Sequence, residues 1–273
     1  MNTIELKENN NNTHIIIVRF GNGSVFHKII DIIKDIVYSC HLKFTTKGII
    51  LQGMDFYHIS LAQICIHKED IDVYQYMMPC PDFEFELGNL TKLLKCMTKY
   101  KEEPFYIRFD QRKMNELQFC YENKNNNKVN TILLKRLHSS SEMMDVIRQK
   151  NYDANLKINA ITFQNFCKKI ISISDIIEIK TSDSKDDTID LHVSEVNGSI
   201  TISEKIKNIK QDNNILLFNE CYDLKYLLLF SKARILSDNV KIYFSNKYPL
   251  MLKYIFFNHS YVCFYLAPKI KKK

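Results

Sequence analysis

Glycine and proline are scarce in this sequence, with six and five residues among 273. The glycines form neither a GxGxxG nor a GxxxxGK arrangement, so neither of the common backbone cradles for nucleotide phosphate is present. The eight cysteines, Cys40, Cys65, Cys80, Cys96, Cys120, Cys167, Cys221 and Cys263, are dispersed without a single CxxC. That spacing argues against zinc fingers and against a disulfide scaffold in a chain this long. Buried free thiols in a reducing compartment are the simpler expectation. The histidines, His14, His27, His41, His58, His67, His138, His192 and His259, include no HExxH, and the aspartates of SDSKDD read as solvated charge in a turn. Met54-Asp55 lies close to His58 in sequence, yet the three residues compose no recognisable triad. Without a convergent nucleophile and base, a phosphate loop or a ligand cluster, no catalytic residue, metal or cofactor is expected. Long apolar runs are also lacking, none reaching the roughly 18 residues of a membrane span. The opening MNTIELKENNNN is polar where a secretion signal needs an apolar core. A soluble intracellular protein with no membrane partner is the expectation.

What is present is a large apolar fraction, 45% of residues, carried by Ile, Leu, Val, Phe and Tyr in short runs. Such β-branched and aromatic enrichment favours strands, and 32.3 kDa is enough chain for two domains. The formal charge of +7, from 38 basic and 31 acidic residues, suggests an anionic partner without establishing one. SVFHKIIDIIKDIVYSC predicts an amphipathic helix with Ser24 as its N-cap. HLKFTT and IILQGM read as two strands joined by a hairpin at Gly48, and ISLAQICIH as a strand buried on both sides. A second helix is predicted over 89–99, followed by a hairpin of FYIRFD and LQFCYE and a last strand, VNTILLKRL.

The segment 135–151 then changes character and reads as a connector between domains 1–134 and 152–273. Its MMDVI cluster suits one wall of a binding groove better than a plain linker. After it, the order of elements repeats. AITFQNFCKKIISIS predicts a helix, strands follow, and NECYDLKYLLLFSKAR predicts another helix beginning near Cys221. The repeated order of helix, hairpin, strand, helix and hairpin constrains the whole fold. An α+β architecture follows, with two similar domains, each carrying two helices and strand-rich sheets. Sheet edges left by such domains must be covered or paired, and head-to-tail pairing between copies that closes on itself yields a ring. The helices carry lysines on their polar sides: Lys28 and Lys34, then Lys92, Lys95 and Lys99, then Lys168 and Lys169, then Lys225 and Lys232. Gathered on one surface, they would neutralise phosphate without reading sequence. Ordinary solvation of exposed helix faces remains the alternative for each.

KGIILQGMDFYHISLAQICI resembles the GV.LQ.MD..H..L pattern of the proliferating cell nuclear antigen family of DNA sliding clamps, and the C-terminal YVCFYLAPKI resembles that family's YYLAPKI ending. NLTKLLKCMTK and LKYLLLFSKA are similar to its second and fourth helices. The resemblance covers nearly the full length. It implies the DNA clamp fold in a homotrimer, with two helices per domain lining a channel and β-sheets outside. The implied function is that of a polymerase processivity factor that encircles double-stranded DNA independently of sequence and recruits replication or repair proteins. An ATP-driven clamp loader is an implied partner. The implied channel positions are Lys28, Lys34, Lys92, Lys95, Lys168, Lys225 and Lys232, with His27 and Asn165 standing where relatives commonly carry basic side chains.

The family's partner groove takes a short motif of a glutamine, an aliphatic residue and two aromatics, as found in DNA polymerase and other clients. Its implied walls here are Met54, His58, Ile59 and Leu61, with Pro249 at the base, Tyr265, Leu266, Ala267 and Pro268 from the C-terminal segment, and Ile147 of the connector, near Met143, Met144 and Val146. Where relatives have proline and acidic side chains beyond that aliphatic residue, this chain has Arg148, Gln149 and Lys150, which points to altered partner preference. The asparagine-rich segments suggest a divergent member, from a virus or an AT-rich genome. The nucleus, or the site of viral DNA replication, is the implied location. The terminal KIKKK reads as a frayed basic tail or an aid to nuclear import. The alternative function is a clamp-like scaffold or transcription-linked factor that keeps the groove but does not close as a homotrimer on DNA.

Overall fold

The computed structural model describes residues 14–123, 128–136, 143–145, 152–181, 188–195, 198–205, 207–208 and 218–269. The first half runs β1 (His14–Phe20), α1 (Ser24–Ile33), β2 (Cys40–Thr45), β3 (Gly48–Met54), β4 (Ser60–His67), β5 (Val73–Tyr76), β6 (Asp82–Leu87), α2 (Leu90–Thr98), β7 (Phe105–Asp110), β8 (Glu116–Asn123) and β9 (Lys128–Lys135). The second half runs β10 (Ala154–Asn159), α3 (Ala160–Ile170), β11 (Ile176–Thr181), β12 (Thr188–Glu195), β13 (Gly198–Lys205), β14 (Lys207–Asn208), β15 (Asn219–Asp223), α4 (Leu224–Phe230), β16 (Asn239–Phe244), β17 (Leu250–Phe256) and β18 (Ser260–Leu266). The repeated order is therefore real. Each half builds a five-strand set and a four-strand set: β5-β1-β7-β8-β9 answers β14-β10-β16-β17-β18, and β4-β3-β2-β6 answers β13-β12-β11-β15.

The five-strand set of the second half and the four-strand set of the first are fused into one nine-stranded sheet by antiparallel pairing of β18 with β4, from Tyr261 opposite Cys65 to Leu266 opposite Ser60. The helices lay their apolar stripes on the inner faces of the sheets. In α1 the buried residues Phe26, Ile29, Ile30 and Ile33 recur at helical spacing, and Phe26 meets Phe105 and Phe119 with ring centroids 5.1 and 5.6 Å apart. Each such side chain contributes roughly 1.5–3 kcal/mol by leaving water. One apolar core runs continuously through both halves. A second cluster, of Tyr152, Tyr243, Met251, Cys263 and Tyr265, lies on the opposite face of the nine-stranded sheet.

Two helix starts differ from the sequence expectation. Gly23, not Ser24, is the N-cap of α1, and the Asn22 side chain accepts from the Ser24 N–H at 2.8 Å. Position 23 has no room for a side chain. The Gly23 N–H donates to the Glu103 carbonyl, and a Cβ at that position would stand only 3.0 Å from the same oxygen. The fourth helix begins at Leu224 rather than near Cys221, because the Asp223 carboxylate caps the Lys225 N–H and NECYD pairs as strand β15 against β11. For α2, the Asn89 side chain accepts from the Lys92 N–H at 3.0 Å.

Asp70 and Asp55 each tie the two halves together. Asp70, in the turn after β4, accepts from the Asn258, His259 and Ser260 N–H groups and from the Ser260 hydroxyl at the β17–β18 turn, where Phe257 adopts a left-handed φ of 53°. Asp55 accepts from the Tyr226 hydroxyl of α4 at 2.7 Å. Among the described residues no helix is long and apolar enough to cross a membrane, and no group of His, Cys, Asp or Glu is arranged to hold a metal ion.

Candidate functional site

Next to the β18–β4 joint is an open cavity of about 170 Å³ lined by Met54, His58, Ile59, Ser60, Leu61, Met144, Asp145, Pro249, Tyr265 and Ala267. It is smaller than the roughly 300–1,000 Å³ typical of small-molecule pockets. Its size and largely apolar lining suit protruding side chains of a peptide. Strand alternation decides which residues of β18 reach it. Tyr265 lies on the outer face with Tyr261 and Cys263, whereas Leu266 is fully buried in the main core with Val262 and Phe264. Leu266 is thus a correction to the expected groove wall. Pro268 is exposed beyond Ala267 and is not part of the lining. Ile147, Val146, Arg148, Gln149 and Lys150 lie outside the described residues.

The loop from Asp55 to Ile59 carries two of the lining residues, His58 and Ile59, and Asp55 shapes it. Its Oδ1 accepts from the Ile59 and Ser60 N–H groups at 2.8 and 2.6 Å, while Oδ2 accepts from Tyr57 N–H and the Tyr226 hydroxyl at 3.2 and 2.7 Å. Burial by itself would push this carboxyl's pKa up; the four donors outweigh it and hold the pKa below its ordinary 3.8. Burial, and then the bond to the Asp55 carboxylate, push the Tyr226 phenol up. His58 sits in the left-handed region at φ 56°, with Nδ1 2.9 Å from the Met54 sulfur. The Ala267 N–H donates to the Ile59 carbonyl at 2.9 Å, closing the C-terminal segment against the loop. Phe56 and Tyr57, 89% and 69% exposed, form an edge-to-face pair on the tip of this loop, beside the cavity.

Gln52 fixes Met144. Its amide donates to the Met144 carbonyl at 2.9 Å and its oxygen accepts from the Met144 N–H at 2.7 Å, so one side chain satisfies both backbone groups of one residue. Gln63 of β4 accepts from the same amide at 3.0 Å. The Tyr152 hydroxyl donates to the Pro249 carbonyl at 3.0 Å and holds the cavity base. Asp55, Gln52, Tyr152 and the Phe56–Tyr57 pair were not singled out as site residues from sequence. The available signal was two glutamines, each facing outward from a strand otherwise rich in apolar residues.

The four helices carry six lysines, Lys28, Lys92, Lys95, Lys168, Lys169 and Lys225, against a single acidic residue, Asp31. All six lysines are exposed. Lys225 lies over the Tyr226 ring at 4.9 Å and Lys99, just past α2, over Tyr100 at 5.4 Å. Lys34 and Lys232 are ion-paired with Asp35. His27 meets the Thr98 hydroxyl at 3.0 Å, and burial lowers its pKa below 6.5, so it stays neutral at pH 7. Asn165 is exposed on α3.

The sequence model described as "Proliferating cell nuclear antigen, N-terminal domain" matches residues 15–145, and its C-terminal counterpart matches residues 146–269. A protein named proliferating cell nuclear antigen from Chaetomium thermophilum is 29% identical over 259 residues, covering 92% of this chain and 97% of its own length. One of the same name from Dictyostelium discoideum is 28% identical over 268 residues, covering 93% and 98%. Both halves are matched in order over nearly the whole chain, and the chain belongs to the proliferating cell nuclear antigen family, the trimeric, DNA-encircling sliding clamps that act as processivity factors.

Proposed function

We propose that this clamp grips duplex DNA through Lys28, Lys34, Lys92, Lys95, Lys99, Lys168, Lys225 and Lys232, and seats client proteins in the groove beside the β18–β4 joint. The observation that carries the proposal is the six-to-one excess of lysine over acidic residues on the helices, in a chain whose basic and acidic totals are 38 and 31. A phosphate backbone passing these helices is neutralised without base contacts, which leaves the ring free to translate.

The topology supports a specific closure. Within one chain β18 ends a five-strand set, β4 ends a four-strand set, and the two pair. β9 and β13 hold the same two positions at the ends of the remaining sets. Pairing β9 of one copy with β13 of the next repeats the internal joint between subunits, a head-to-tail contact that closes as a trimer of six similar domains. A closed ring has no entrance for DNA, so loading onto circles calls for a separate ATP-driven loader. Groove clients would carry the short motif of a glutamine, an aliphatic residue and two aromatics, whose apolar side chains suit the cavity formed by Met54, Ile59, Leu61, Pro249 and Tyr265. On the family's character we place the activity in the nucleus, or at a viral replication site if the source is viral, with no chemistry of its own.

Light scattering tests the closure. Three subunits of 32.3 kDa give about 97 kDa, and lysine at both Val129 and Leu133, exposed on the β9 edge, should shift the mass toward monomer by blocking edge pairing. A monomeric wild type across the micromolar range, or a double variant that stays fully trimeric, counts against this joint.

A further inference from the structure

The lysines proposed to meet DNA are not equivalent. Lys28, Lys92, Lys95 and Lys168 are exposed and form no ion pair among the described residues. Lys34 is only 19% exposed at its side chain, with its Nζ 2.9 Å from Asp35 and 3.3 Å from Asp31. Lys232 reaches across from the 3-10 turn Ser231–Ile235 of the second half and donates to the other oxygen of Asp35. Asp35 therefore holds one lysine from each half, one on each carboxylate oxygen. Two lysines against two aspartates leave this patch with no net charge, whereas the other charged residues of the four helices are all lysines.

We propose that Asp35, supported by Asp31, competes with DNA phosphate for Lys34 and Lys232 and so limits how tightly this clamp holds the duplex it slides on; the inference rests on the lysine-lined channel proposed above. A carboxylate and a phosphate are alternative anionic acceptors for the same ammonium group. The Lys232 and Asp35 side chains are 43% and 34% exposed, so exchange between the two acceptors needs no opening of the core. Ion pairs at such exposure are weak, and an approaching phosphate meets lysines already partly neutralised. Each lysine kept on Asp35 is one phosphate fewer neutralised and one counterion fewer released. The consequence is a shallower dependence of DNA affinity on salt and a smoother path along the backbone.

The test is equilibrium binding of the intact trimer to a short, open-ended duplex, followed by fluorescence anisotropy across a salt titration. Asp35→Asn frees Lys232 and leaves Lys34 with Asp31 as its single partner among the described residues. The log–log slope steepens by about 0.9 per phosphate gained, hence by roughly 3 if each of three subunits gains one contact. Lys232→Gln in the wild-type background changes the slope less than Lys28→Gln does, because Asp35 partly withholds that lysine; the same substitution in Asp35→Asn removes part of the gain. Equal slopes for wild type and Asp35→Asn at unchanged trimer mass would overturn the proposal and leave Asp35 as a structural pin alone. Should Asp35→Asn fail to assemble, Asp31→Asn keeps the Asp35–Lys232 pair and is expected to steepen the slope by a smaller amount; no change there also overturns it. Wild-type binding that ignores salt removes the channel reading itself, and this inference with it.

Discussion

Replacing Asp55 by alanine should destabilise the protein by about 3 kcal/mol and loosen the groove at the same time. The carboxylate accepts four hydrogen bonds, and bonds to a charged group contribute about 1.5–3 kcal/mol each when buried. They are not equal. The Tyr57 bond is long, 3.2 Å, and belongs to an exposed residue, so water replaces it at little cost. The Ser60 N–H and Tyr226 hydroxyl, at 2.6 and 2.7 Å, belong to buried residues and lose their partner outright. Asp55→Asn should cost less, because the amide oxygen can keep Ile59 and Ser60 while the Tyr226 hydroxyl turns to accept from the new NH2. Tyr226→Phe, removing one bond, should cost about 1 kcal/mol, and a double-mutant cycle with Asp55→Ala should show coupling of similar size.

The assay is urea unfolding at one fixed protein concentration, since trimer formation makes stability concentration-dependent. Its pH dependence supplies a second check. Asp55 has a folded-state pKa below the ordinary 3.8. Its contribution is therefore fully present above that value and is lost as pH falls through the folded-state value. The gap between wild type and Asp55→Asn should stay constant from neutral pH down to about 5 and narrow below about 4. A cost under about 0.5 kcal/mol for Asp55→Ala, within the range of an ordinary surface substitution, would refute the role given to this carboxylate.

Three further outcomes follow from the geometry. Gln52→Leu should leave the unfolding midpoint within about 1 kcal/mol of wild type, the worth of an ordinary hydrogen bond, yet weaken calorimetric affinity for a motif peptide several-fold by releasing the Met144 backbone; unchanged affinity would show that the connector needs no anchor. Leu61→Ser should reduce peptide affinity in a folded trimer, whereas Leu266→Ser, in the core, should cost roughly 2–5 kcal/mol of stability. The reverse pattern would exchange the faces assigned to β4 and β18. Glutamine at Lys28, Lys92, Lys95 and Lys168 together should flatten the salt dependence of DNA binding and spare peptide affinity; an unaltered slope would remove these four from the DNA-facing set.

Much of the fold was legible because its signals are periodic. The apolar spacing in α1, Phe26, Ile29, Ile30 and Ile33, reports a buried helix face directly, and the repeated element order reports two similar halves. Boundaries set by tertiary contact were less legible. The cap of α1 is a glycine because Glu103, far away in sequence, leaves no room there for a side chain, and NECYD extends because β11 is there to pair with it. At the cavity, the C-terminal letters set Tyr265 and Leu266 side by side, while the strand points them to opposite faces of the sheet. Leu266 and Tyr265 are neighbours in the same motif, and only strand alternation separates the core residue from the one that lines the cavity. The ion pairing of Lys34 and Lys232 was hidden for a similar reason: Asp35 and Lys232 are 197 positions apart and meet only when the halves pack.

Encirclement is the central claim, and topology distinguishes it from ordinary electrostatic binding. Clamp threaded onto a linear duplex, whose ends are then blocked by bulky bound proteins, is followed by gel filtration at high salt before and after a restriction cut between the blocks. The account predicts that the ring stays on blocked DNA despite the salt and runs off once an end is opened. Equal loss from blocked and cut DNA would mean that the protein binds the duplex without surrounding it.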